Sequence, residues 1–385
     1  MNITNEWQKL QNAKRIVVKV GTSTLTHRTG NLNLTSMEQL TRQLADIKNQ
    51  GREVLLVTSA AVGAGMGRVN IKERPGKISD RQALAAIGQG ILMHIYEKFF
   101  GEYGIVVAQV LLTKDDVADR QRYLNARTTM RRIMEYGAVP IINENDTVAF
   151  DQIKFGDNDT LSAMVAGLID ADLLVLLSDI DGLYTSDPHK DTQAELIPIV
   201  EDISPEIESL TGGAGSILGS GGIKTKISAA KIAAAQGIPM VLANGSRRDS
   251  LKFLNRAENG NEQDIQSFGT LFLPKTTTMG SRKGWLAFNT RPAGTVIVDE
   301  GASKAILEKG KSLLPSGILQ IESNFQRGEV VDIQYDSYTI ARGIANYSSG
   351  DIEQIMGRHS REIDSFLGPG HDQEVIHKDN LSLLK

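Results

Sequence analysis

Six short apolar runs recur along the first two thirds of the chain: Ile16–Val20, Val54–Thr58, Ile105–Leu112, Val139–Ile142, Leu173–Ser178 and Pro239–Ala243. Each is continuous rather than alternating, so each predicts a strand buried on both faces of a sheet. Between the runs the apolar period lengthens to that of a helix. Met37, Leu40, Leu44 and Ile47 predict a helix over about Ser36–Gln50, closed by Gly51. Leu84, Ile87, Ile91 and Ile95 predict a second over Ser79–Phe100. In both, a serine followed three residues later by glutamine (Ser36/Gln39, Ser79/Gln82) reads as a capping-box start. Further helices are expected over about Tyr123–Tyr136, Thr160–Ile169 and, rich in alanine, Thr225–Gln236. Strands alternating with helices predict an α/β sandwich around a largely parallel sheet.

This pattern fades near Asn259–Gly284, and beyond Trp285 short strand-like pieces lie between glycines, with one helical piece at Ala302–Lys309. The expected division is an α/β domain over 1–262, a linker over 263–283 and a small β-rich domain over 284–385, with a loose tail after about His377. Two domains also suit a chain of 385 residues, since single cores stop growing at roughly 250–300.

Composition narrows the function. Hydrophobic residues make up 41% and charged residues 23%, as in an ordinary globular protein, and the net charge of −4 gives no bulk attraction to nucleic acid or anionic lipid. The chain has no cysteine, which excludes disulfides, thiolate metal sites and cysteine nucleophiles and suits a reducing cytoplasm. The first 15 residues lack an apolar core of signal-peptide length, and no apolar run approaches ~18 residues, so no membrane span is expected.

The polar residues that interrupt this pattern gather at strand ends and helix starts, where ligands bind in open α/β sheets. Lys19-Val20-Gly21 ends the first run, and Thr58-Ser59-Ala60-Ala61 ends the second. Alone, the first could be a lysine reaching for solvent and the second a close strand–helix turn. Asn143-Glu144-Asn145-Asp146, followed by Phe155-Gly156-Asp157-Asn158-Asp159, packs acids and amides more densely than turns and caps require. Ser178-Asp179-Ile180-Asp181-Gly182 follows the most apolar run and reads as a nucleotide-facing turn or a well-made loop. Gly219-Ser220-Gly221-Gly222 precedes the alanine-rich helix, with Lys224 and Lys226 in its first turn. Lysines at a positive helix terminus are unfavourable unless an anion compensates them, so this segment points to a phosphate site, the alternative being a flexible solvated loop. A P-loop, a dinucleotide-binding glycine motif and the protein-kinase motifs are all absent, and the six histidines show no metal spacing.

Taken together and in this order, these segments resemble the amino-acid kinase family. KVGTS, VTSAAVGAG, RYLNAR, INENDTV, FGDND, SDIDGLYTSDP and GGIKTK carry the likeness over nearly the whole chain. The stretch from GTVIVDE to GEVVDI looks like a PUA domain, a module named for RNA-modifying enzymes. The resemblance implies a three-layer sandwich and transfer of the ATP γ-phosphoryl group, with Mg²⁺, to the side-chain carboxylate of L-glutamate, the first step toward proline. It implies that Lys19 and Lys226 contact the transferring phosphate and that Asp159 holds both lysines. Ser59, Asp146 and Asn158 would bind glutamate. Lys19, Ser178, Asp179 and the segment Ser220, Gly221, Gly222, Ile223, Lys224, Thr225 and Lys226 would bind ATP, and no protein ligand of the metal is assigned. Ala60 stands where the family usually has glycine, and Ser178 where it usually has threonine. Feedback by proline, a homodimer or homotetramer, and transient hand-off of the product to a reductase are further implications. The alternatives are a kinase of the same fold acting on aspartate, acetylglutamate or carbamate, and an RNA-binding protein acting through its PUA-like part. From Trp285 onward there are 14 acidic against 10 basic residues, which argues against a nucleic-acid surface.

Overall fold

The structure, a computed structural model, describes residues 3–27, 29–149, 158–188, 190–209, 222–255, 268–274, 292–368 and 370–384. The chain divides into two compact units, Met1–Thr278 and Met279–Lys385.

In the first unit the strands are β1 (Arg15–Val20), β2 (Glu53–Val57), β3 (Val107–Leu112), β4 (Val139–Glu144), β5 (Leu173–Ser178), β6 (Ile199–Val200), β7 (Met240–Asn244) and β8 (Gly269–Phe272). They form one sheet in the order β3-β4-β2-β1-β5-β7-β8-β6. Every pairing is parallel except β7 with β8. The helices are α1 (Ile3–Lys9), α2 (Thr22–Leu25), α3 (Leu34–Asn49), α4 (Ala61–Arg68), α5 (Ile78–Gly101), α6 (Lys114–Ala118), α7 (Arg120–Glu135), α8 (Asn158–Leu168), α9 (Pro205–Ser209) and α10 (Ile223–Ala235). Alternation along β1 separates the two sheet faces. Ile16, Val18 and Val20 join the core built with α3 and α5, while Val17 and Lys19 point to the other face, where Lys19 meets α8. Strand order sends the chain outward from β1 in both directions, so the carboxyl ends of β1, β2, β4 and β5 converge at the switch in winding.

Several expectations need correction. The helix over 36–50 begins at Leu34, and its cap is Asn33, whose side chain accepts from the Ser36 amide at 3.1 Å. Ser36 is already the third helical residue, so no Ser36/Gln39 box forms. Ser79 likewise lies inside α5, whose first flanking residue, Lys77, gives no side-chain cap. The buried stripe of α5 is also rotated from the expected one. It runs through Leu84, Ala85, Gly88, Gln89, Leu92, Tyr96 and Phe100, while Ile87 is 43% exposed. Close approach to α4 decides this. A Cβ on Gly88 would lie 1.8 Å from the Ala61 carbonyl oxygen, and one on Gly65 would lie 2.0 Å from that of Leu84. The helices therefore touch backbone to backbone, and small residues set the interface rather than the largest aliphatic ones.

The run over 105–112 is not buried on both faces. As β3 it is the edge strand next to β4, most of it is half-buried, and Val106 just before it is 69% exposed. Strand β8 falls inside the stretch expected to be linker, and its antiparallel partner is β7. Most of the remaining linker lies outside the described residues.

The second unit holds a five-stranded sheet ordered β10-β9-β11-β12-β13, from β9 (Gly294–Val298), β10 (Ile318–Glu322), β11 (Val330–Tyr335), β12 (Tyr338–Ile344) and β13 (Leu381–Leu383). Helices α11 (Glu300–Lys309), α12 (Ser349–Ile355) and α13 (Ile363–Leu367) complete it, with its own core around Val296, Ile333, Ile352 and Ile376. The tail expected to be loose after His377 instead ends in β13, which pairs with β12 and buries Leu381 and Ser382.

Candidate active site

Lys19 stands one residue before the end of β1 and is 7% exposed. After it, the Gly21 amide donates to the Leu177 carbonyl of β5 at 3.2 Å. Lys226 lies in the first turn of α10 and is 5% exposed. These lysines enter the site from opposite parts of the chain, and Asp159, the second residue of α8 and 1% exposed, joins them. One carboxylate oxygen pairs with Lys19 and the other lies 3.2 Å from Lys226. The Thr225 hydroxyl is 2.7 Å from that second oxygen and 2.8 Å from the Gly222 carbonyl.

Burial by itself would raise the Asp159 pKa. The two ammonium groups outweigh it, together with hydrogen bonds from Lys19 and Thr225, and hold the carboxyl well below the usual range. Among the described residues, two cations meet one anion in a nearly dry cluster beside the positive end of α10. Such a centre attracts a further anion.

A second group forms around Asn158, the first residue of α8. Its side-chain amide nitrogen lies 2.7 Å from the Thr58 carbonyl, 3.0 Å from the Ser59 hydroxyl and 3.0 Å from the Asn143 side-chain oxygen. Asn143 reaches on to Gln89 of α5 at 2.8 Å. Beside Ser59, Thr58 shares a 2.7 Å hydrogen bond with the buried Tyr96 hydroxyl. Ala60, the residue just before α4, adopts φ 74° and ψ 10°. That is the left-handed region, and it accounts physically for glycine as the residue best suited to this turn. Asp146, just beyond β4, has its carboxyl pushed up to about 6 by burial, although Arg74 and Arg81 oppose the shift.

The end of β5 supplies a third group. Ser178 is buried and lies 3.0 Å from the exposed Asp179 carboxylate. Asp181 beyond it accepts from Asn244 at 3.1 Å and pairs with Arg247 at 2.9 Å. Gly222, Ile223, Lys224 and Thr225 open α10, with Lys224 exposed. Ser220, Gly221 and the segment 155–157 lie outside the described residues.

The structure thus brings Lys19, Lys226 and Asp159 into one cluster, and Ser59 and Asn158 into an adjoining one. Asn143 belongs to the acid and amide segment already singled out in the sequence, without a role of its own, whereas Gln89 was not singled out. The available signal at Gln89 was a polar side chain inside an apolar helix stripe. Among the described residues no group of three acidic or histidine side chains is placed to hold a metal ion, and no helix is long and apolar enough to cross a membrane.

Fold and site set a cationic cluster at the carboxyl edge of a mostly parallel sheet, and family comparison follows the same lines. Residues 14–244 match the amino acid kinase family, and residues 294–367 match the PUA domain. The chain belongs to the amino acid kinase family. Its relatives include the glutamate 5-kinase of Thermoanaerobacter pseudethanolicus, 52% identical over 96% of this chain and 98% of the relative. That of Moorella thermoacetica is 51% identical over 97% of each chain. A solved UMP kinase from Bacillus anthracis aligns at 14% identity over 69% of this chain and 97% of its own, with a TM-score of 0.46, a likeness too slight to carry weight.

Proposed function

We propose that this protein transfers the γ-phosphoryl group of ATP to the side-chain carboxylate of L-glutamate, giving glutamyl 5-phosphate, the first step of proline biosynthesis. The single observation that carries the reading is the gathering of Lys19 and Lys226 on the two oxygens of Asp159. The names borne by relatives of about half identity supply the acceptor.

The chemistry asks little of a general base, because a carboxylate is already ionised at neutral pH. A carboxylate oxygen of glutamate forms a bond to the γ-phosphorus while the bond from that phosphorus to the bridging oxygen breaks. ADP leaves with the electron pair, and no proton moves. The obstacles are repulsion between two anions and the charge that gathers on the phosphoryl oxygens. Lys19 and Lys226 answer both, and Asp159 keeps them aimed. Ser178, Asp179 and the segment opening α10, expected to extend from Ser220 to Lys226, hold the nucleotide. Ser59, Asn158 and Asp146 hold glutamate, with Asp146 facing its ammonium group. Mg²⁺ would neutralise phosphate charge when bound.

The test is a hydroxamate trap with ATP and Mg²⁺, offering glutamate, aspartate, acetylglutamate and carbamate separately. Glutamate alone should give product, and acetylglutamate, which lacks the ammonium group, should be refused. Lys19→Ala and Lys226→Ala should each lower kcat by about 10²–10³-fold, the loss of one electrostatic contact to the transition state. Near-normal kcat in both would overturn the assignment. We further expect a cytoplasmic homo-oligomer restrained by proline. Its labile acyl phosphate calls for prompt consumption by a reductase. The acidic balance of the second unit disfavours RNA as its ligand.

A further inference from the structure

We infer that Gln89 is a positioning residue for the acceptor subsite: it acts through Asn143 to lock Asn158 with its carbonyl oxygen available to the substrate ammonium group. This rests on the proposed glutamate reading and deepens it.

Two backbone groups in the site have hydrogen-bonding roles that leave no choice. The Glu144 amide can only donate, and it lies 2.9 Å from the Asn143 side-chain oxygen. That fixes which end of the Asn143 amide faces it. The nitrogen of Asn143 must then point the other way, to a partner 2.8 Å distant on Gln89, which must present its oxygen. At the far end, the Thr58 carbonyl can only accept, and it lies 2.7 Å from Asn158. The nitrogen of Asn158 must therefore face Thr58, where it also meets the Ser59 hydroxyl and the Asn143 oxygen. Reversing any one amide would oppose two donors or two acceptors. The three side chains form a directed relay, Asn158 to Asn143 to Gln89, with each nitrogen donating to the next oxygen.

Two ends of the relay remain unused. The Asn158 oxygen is buried without a hydrogen-bond partner, and so is the Gln89 nitrogen. Gln89 is 8% exposed and Asn143 2%. Leaving a buried polar group unsatisfied is unfavourable by about 1–3 kcal/mol, so such groups call for a functional account. On the proposed reading the Asn158 oxygen has one, as a second acceptor for the ammonium group that Asp146 faces. The Gln89 nitrogen follows from the relay. No smaller or apolar side chain on that helix face could supply the acceptor that Asn143 needs.

The experiment compares wild type with Gln89→Leu and Gln89→Glu, using glutamate and glutarate, which lacks the ammonium group, as acceptors. Leucine removes the acceptor facing Asn143. It should raise the KM for glutamate about tenfold, as expected for one lost hydrogen bond in a buried network. kcat and the KM for ATP should stay within about twofold, and the preference for glutamate over glutarate should fall about tenfold. Glutamate at position 89 carries an acceptor in either protonation state, so it should keep the KM within about threefold of wild type. Wild-type KM in Gln89→Leu would overturn the relay. So would equal losses with glutamate, glutarate and ATP, or a Gln89→Glu enzyme as impaired as Gln89→Leu. Should the leucine variant not fold, Gln89→Met, unbranched and equally without a comparable acceptor, takes its place in the same comparison. A wild type that makes no acyl phosphate from glutamate overturns the parent reading and the relay with it. A normal wild type beside an unaffected leucine variant overturns the relay alone.

Discussion

Replacing Asp159 with asparagine tests the centre of the site with almost no change of shape. Asparagine fills the same volume and can still accept from Thr225. What disappears is the charge that stands between two buried ammonium groups, at 7% and 5% exposure. Removing one partner of a buried ion pair costs about 3–5 kcal/mol. Here the missing partner serves two cations, so the expected loss lies at the upper end, about 5 kcal/mol. Activity should fall as well, by at least the 10²–10³-fold of one mis-aimed electrostatic contact. Urea unfolding followed by fluorescence measures the first loss and hydroxamate formation the second. A polyanion that binds the cluster substitutes for the missing carboxylate, so added nucleotide should recover part of the stability.

The pH dependence gives an independent check on sign. The carboxyl is held below its ordinary range in the native state, so the native protein releases that proton more readily than the unfolded chain. Its stabilisation is complete above the unfolded value of about 3.9 and is lost only as pH falls through the lower native value. The gap between wild type and Asp159→Asn should thus be flat across neutral pH and narrow only in strong acid. Equal stability and equal kcat in the two proteins would refute the reasoning, as would a gap that widens on acidification.

Three further outcomes follow from local geometry. Ala60→Gly should stabilise the protein by about 0.5–1 kcal/mol, because relief of a left-handed alanine exceeds the added freedom of the unfolded chain; thermal denaturation measures it, and a lowered Tm would contradict the strained turn. Gly88→Ala should destabilise by about 3 kcal/mol, since the new methyl would sit 1.8 Å from the Ala61 carbonyl and must push α4 from α5; calorimetry at unchanged Tm would refute that close crossing. Asp146, pushed up to about 6 by burial, must be ionised to face an ammonium group. Below that pH, kcat/KM for glutamate should fall about tenfold per unit while the KM for ATP holds. A profile flat from about pH 5 to 8 would remove Asp146 from the subsite.

Much of this architecture was legible because the sequence repeats it. Continuous apolar runs at β1, β2, β4, β5 and β7 announce strands covered on both faces, and all five lie inside the sheet. The same signal misled at β3, which lies at the edge and carries an exposed polar residue, Gln109, in mid-strand. Periodicity reports that a residue prefers burial, and it does not report how many neighbours the sheet provides. Helix faces failed for a related reason. In α5 the apolar period pointed to Ile87, but Gly88 and Gly65 permit backbone contact, and the helix turned to use it. A count of large side chains does not register the attraction of two bare backbones.

The chemical residues divide along a similar line. Lys226 stood out because a lysine in the first turn of a helix opposes the local dipole, and a conflict between neighbours is visible within a few residues of sequence. Its resolution by Asp159, 67 residues away, came only with the fold. Gln89 presents no such conflict. A glutamine suits a helix, and its 54-residue reach to Asn143 satisfies a need that belongs to Asn143 alone. Local strain therefore marks the residues that act on charge, whereas the side chains that orient them are locally content. They become recognisable only when the donors and acceptors of the folded site are followed one by one to an end that has no partner.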